Sequence, residues 1–107
     1  MGSEKQALRA ALANLKAALL AQSSVNTVRV LALDLTKAEI NIVADAHLDG
    51  WPLALELDHF VRNIDQLIRV DGLVLTARAQ GALDVLNQRS RQQMQQYRRY
   101  TLAMQFI

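Results

Sequence analysis

The sequence predicts an α+β domain of ferredoxin-like αββαββ order, with a four-stranded antiparallel sheet and two helices on one of its faces. Three observations lead there. Leucines fall at helical spacing within residues 4–24, a second run of helical spacing covers 53–68, and each is followed by a pair of segments in which apolar residues alternate with others. A chain of 107 residues, 51% of them apolar, suits one core and one domain.

Taken in order, residues 1–3, Met-Gly-Ser, read as an expression scar, which leaves room for a membrane anchor upstream in the natural protein. From 4 to 24, Leu8, Leu12, Leu15 and Leu19 recur at four, three and four residues. That spacing suits a helix docked on a sheet and equally the a/d seam at the end of a coiled coil. Ser23, Ser24 and Asn26 break the helix, and the remainder of the domain, 25–107, follows. Residues 28–35 and 40–46 read as an antiparallel hairpin of β-branched and apolar residues around a short turn. Asp49-Gly50-Trp51-Pro52 marks the next boundary, with Pro52 suited to a first helical turn. In the second helix Leu53, Leu57, Phe60, Val61, Ile64, Leu67 and Ile68 form one apolar face. Residues 70–79 read as a third strand and 80–96, rich in Gln and Arg, as an exposed loop with at most a short helical piece near Leu83 to Leu86. A last strand over 99–106 would turn Tyr100, Leu102, Met104 and Phe106 inward. The expected core joins Leu12, Leu15, Leu53, Leu57, Phe60, Ile64, Leu102, Met104 and Phe106.

Little in the chain suggests reaction chemistry. There is no cysteine, which removes disulfides, thiolate metal sites and thiol catalysis. His47 lies between Asp45 and Asp49, short of three convergent ligands on one strand end, and His59 sits beside Phe60 on a helix. Ser23, Ser24 and Ser90 have no nucleophile-elbow context, and the four glycines form no phosphate-cradling motif. No enzyme, cofactor, metal or small-molecule substrate is therefore expected. The net charge of +2 is unevenly spread: residues 1–79 carry −1 and residues 80–107 carry +3. Arg89, Arg91, Arg98 and Arg99, with Tyr97 and Tyr100 between them, are the candidate anion contacts, and they support nucleic-acid binding as the alternative function. The leading expectation is a scaffold that dimerises through Leu8, Leu12, Leu15 and Leu19 of the first helix, through an edge strand, or through an open sheet face bearing Val28, Val30 and Val43.

Three stretches carry a resemblance to a known family. The helix end running from Leu57-Asp58-His59-Phe60 to Ile68-Arg69-Val70, the following Asp71-Gly72-Leu73-Val74-Leu75, and the late Tyr97-Arg98-Arg99-Tyr100-Thr101-Leu102 look like the periplasmic domain of PilO-type proteins of type IV pilus assembly. PilN-type pilus proteins and the L and M components of type II secretion are close relatives of that family. The resemblance spans residues 25–107 and implies the ferredoxin-like fold, an inner-membrane anchor upstream, and a place on the periplasmic face of the bacterial inner membrane. It further implies a non-catalytic alignment role, with a homodimer or a PilN-like sister protein as partner.

Overall fold

The computed structural model of the chain is helical throughout. It describes residues 2–48 and 50–105, with side chains described for 4–48 and 50–96. Helix α1 spans Gly2–Gln22, α2 Asn26–Ala38, α3 Gly50–Val70 and α4 Ala77–Gln105, and a π-helical turn, Glu39–Val43, extends α2. Among the described residues there is no strand, so the αββαββ order and the ferredoxin-like assignment are overturned: this is an antiparallel four-helix bundle.

The correction has a specific cause in each segment. Residues 28–35 alternate well enough to pass for a strand, but the residues buried in α2 are Val28, Leu31, Ala32, Leu35 and Ala38, a period of 3.6. Val30 and Leu33, which blurred that period, lie on the opposite side. The second expected strand is the π-helical turn and the loop after it. In the turn, the Ala44 N–H donates to the Glu39 carbonyl five residues back (2.9 Å). Its wider pitch rotates Val43 onto the core face, where about 100° per residue would have carried it off to one side. The third expected strand is the α3–α4 connection, whose β-branched residues Val70 and Val74 are exposed. Residues 80–96 form the middle of α4 rather than a loop, with Leu83 and Leu86 buried. Gln, Arg and Met are good helix formers, and here that propensity outweighs the lack of apolar residues. The last expected strand also falls in α4 as far as Gln105, while Phe106 and the side chains of Leu102 and Met104 lie outside the described residues.

Neighbours in the bundle are α1 with α2, α1 with α4, and α3 with α4; α2 and α3 touch least, leaving that side partly open. The chain ends of α1 fix its direction against α4. Gln22 Nε2 donates to the Val74 carbonyl (2.6 Å) and Gln22 Oε1 accepts the Thr76 N–H (2.8 Å), while at the other end Gln93 Nε2 donates to the Glu4 carboxylate. Leu8, Leu12, Leu15 and Leu19 form the middle of the core with Leu31, Leu35, Leu53, Leu57, Ile64 and Leu86. Phe60 is half-buried at its edge. At 29 residues, about 43 Å, α4 is the longest helix, some 12 Å longer than the 21-residue α1 and α3.

Two turns set the α3–α4 geometry. Gly72 lies at φ 65°, the Leu73 N–H donates to Ile68 O (3.0 Å) and the Gly72 N–H to Arg69 O (3.2 Å), which is a Schellman termination of α3. Thr76 then caps α4, its Oγ1 accepting the Ala79 N–H (3.2 Å). Gly81, inside α4 and open to solvent, has ordinary helical φ. The two glycines should therefore respond oppositely to alanine although neither side chain would meet a neighbour. Gly72→Ala is expected to lower stability by about 1 kcal/mol through its left-handed φ, and Gly81→Ala to raise it by about 0.5–1 kcal/mol through helix propensity. Urea unfolding of both variants checks this, and a stabilising Gly72→Ala would contradict the Schellman assignment.

Candidate functional site

The packing divides the sequence-predicted site residues into three groups. Leu8, Leu12, Leu15, Leu19, Val28 and Val43 are buried inside the bundle, consumed by the chain's own core. Val30 is the one interface candidate left at the surface, 40% exposed. Of the four arginines, Arg89 and Arg91 are exposed, whereas the side chains of Arg98 and Arg99 are outside the described residues.

Val30 belongs to a longer feature that a period of two conceals. Leu33, 55% exposed, stands with it on the side of α2 away from the buried Val28, Leu31, Leu35 and Ala38, and Ile40, 62% exposed, follows at the start of the π-helical turn. The helix thus has two apolar faces, one inside and one outside. Asn26, Val30, Leu33, Lys37 and Ile40 follow one another at four, three, four and three residues, the spacing of a coiled-coil seam. The signal that finds Leu33 and Ile40 in the sequence is this 4-3-4-3 count; the alternation of residues 28–35 hides it. Arg29 and Asp34 flank the stripe, and among the described residues neither they nor Lys37 makes an ion pair.

On the open side, α2 and α3 enclose a groove of about 430 Å³. Ile42, Phe60 and Ile64 form its floor, and Asp34, Lys37, Asn41, Glu56, His59 and Asn63 its rim. Its rim carries the carboxylates of Asp34 and Glu56 and the ammonium of Lys37, and no group of three His, Asp or Glu able to hold a metal occurs among the described residues. His47 and Asp45 serve a turn instead: Asp45 Oδ1 accepts the His47 backbone N–H (2.9 Å), and the Asp45 carbonyl accepts Lys5 Nζ (2.9 Å), which ties this loop to α1. Asp49 lies outside the described residues.

Arg89 and Arg91 do not converge. Two positions apart on a helix, Arg89 and Arg91 leave α4 on opposite flanks. Arg89 lies toward α1 beside Glu4 and Gln93, and Arg91 toward α3 in a polar cleft with Asp58, Arg62, Asp65 and Arg69. In that cleft Arg62 pairs with Asp58 (2.9 Å) and Arg69 with Asp65 (2.8 Å), so local carboxylates balance most of the positive charge. Ser90 lines its floor, 2% exposed, with an Oγ that has no hydrogen-bond partner, and Gln93 Oε1 is likewise buried and unpartnered one turn on. These two polar residues occupy the core-facing line of α4 where Leu83 and Leu86 stand earlier.

No known protein family, curated protein or solved structure matches the chain. Among the described residues no helix is long and apolar enough to cross a membrane.

Because Ser90 contributes a desolvated hydroxyl and no bond, Ser90→Ala is expected to stabilise the bundle by about 1 kcal/mol, read as a higher urea midpoint at unchanged slope. A loss of stability of that size would mean that the hydroxyl has a partner in solution.

Proposed function

We propose that the protein is a non-catalytic interaction module that associates with itself. The observation carrying this reading is the outward apolar stripe of α2, Val30, Leu33 and Ile40, on a helix whose inner face already fills the core. Full burial of a side chain of this kind contributes about 1.5–3 kcal/mol, so three of them exposed along one side, with Lys37 between the second and third, favour a partner.

Part of the family resemblance is carried forward with it. The scaffold role and the homodimer are kept as part of this proposal, argued from the exposed face of α2. The pilus or secretion assignment drew on an αββαββ order that the helices replace. A PilN-like partner and a periplasmic position rest on that resemblance alone. Nucleic-acid binding has less support than association, because Arg89 and Arg91 face different helices and each has carboxylates nearby.

Sedimentation equilibrium of the whole chain tests the proposal. A dimer with a micromolar dissociation constant is expected, and Leu33→Asp should leave the far-ultraviolet circular dichroism unchanged while weakening association by at least about tenfold. A chain that stays monomeric to high micromolar concentration would refute self-association.

A further inference from the structure

We infer that two copies of this chain pair side by side through α2, in parallel, about a two-fold axis running along that helix. The inference rests on the self-association reading and adds the surface, the direction and the register.

The seam itself comes first. Within α2, Val30 and Lys37 stand at a positions and Asn26 and Leu33 at d, with Arg29 and Thr36 at g and Thr27 and Asp34 at e; Ile40 and Asn41 continue the count into the start of the π-helical turn. A β-branched residue at a followed by leucine at d, as in Val30 and Leu33, is the combination that favours two parallel strands. A single polar residue at an a position, here Lys37, is a device that restricts oligomer state at a cost in stability.

Charge then decides direction. In a parallel pair each g residue faces the e residue five positions later on the other helix. Arg29 is followed at that interval by Asp34, so a parallel dimer makes two opposite-charge contacts, Arg29 to the second copy's Asp34 and the reverse. Antiparallel pairing sets g against g and e against e. It would offer Arg29 only Thr36 or another Arg29, and Asp34 only Thr27, Asn41 or another Asp34. Within one chain, 29 and 34 are too far around the helix to meet, and neither has an ion-pair partner among the described residues. The same complementarity singles out a second copy as occupant, since an identical helix supplies the matching charge at the matching position.

The seam is short, about two heptads from Asn26 to Ile40, and an isolated helix of that length would not form in water. Here α2 is already held by Val28, Leu31, Leu35 and Ala38 in the core, so association orders side chains and not backbone. A contact of this size sits at the low end of specific interfaces, which sets the expected affinity in the micromolar range.

Charge exchange and cross-linking test the geometry. Arg29→Glu and Asp34→Arg should each weaken the dimer about tenfold in sedimentation equilibrium, and the Arg29→Glu/Asp34→Arg double variant should return to within about threefold of the parent. Lys37→Leu should tighten it. The chain has no cysteine of its own, so Asn26→Cys and Ile40→Cys can be introduced singly. Each should form a disulfide-linked dimer with its own kind under mild oxidation, because a parallel pair brings like positions together. Should the parent dimerise while Asn26→Cys links only to Ile40→Cys, or while the charge reversals leave affinity unchanged, the parallel α2 pairing is overturned and self-association through another surface stands. Should the parent be monomeric, both readings fall together.

Discussion

Helices α2 and α4 both find their place against the leucine seam of α1. Leu8, Leu12, Leu15 and Leu19 are fully enclosed, and α1 is the helix that packs both against α2 on one side and α4 on the other. Removing this seam would leave α2 and α4 without a shared wall, because among the described elements those two do not contact each other directly. The groove beside α3 and the exposed stripe of α2 are consequences of the same arrangement. A short α2 clamped against α1 turns its second apolar face outward and leaves its flank toward α3 only partly covered.

The parts of this fold that were legible in the sequence are those where one apolar face dominates. In α3 the 3.6-residue period is strong, in α1 Leu8, Leu12, Leu15 and Leu19 mark it among the alanines, and Gly50 and Pro52 mark the start of α3 where the chain places it. In α2 the period was masked because a helix apolar on two sides resembles a strand apolar throughout. In α4 it was masked by the opposite fault: the core-facing line passes from Leu83 and Leu86 to Ser90 and Gln93, so hydropathy falls while the helix continues. The 4-3 spacing of buried positions persists through that change, and spacing, not hydropathy, was the recoverable signal. The π-helical turn had no sequence signature; its effect, the rotation of Val43 into the core, is visible only once the backbone is known.

Site legibility followed the same division. Val30 was found among the interface candidates, but its companions Leu33 and Ile40 and the flanking charges were not, because the side of a strand on which Val30 would lie holds different neighbours from the side of a helix. A wrong period therefore misassigns whole surfaces even when individual residues are chosen well. The arginine cluster shows the converse. Arg89 and Arg91, two apart in sequence, look like part of a patch, and the helical backbone sends them to opposite flanks of α4.

The clasp between Glu4 and Gln93 joins residues 89 positions apart, and it bears on how the bundle assembles. The α1–α2 and α3–α4 pairs are each local in sequence, and the second has turn chemistry, in Gly72 and Thr76, that favours early formation. Docking α1 on α4 closes nearly the entire chain into a ring and bears the loop-closure entropy of doing so, although that entropy grows only slowly with length. Of the contacts between the two halves the α1–α4 seam, polar at the Ser90 and Gln93 end, is the most extensive, so most of the coupling between them passes through it.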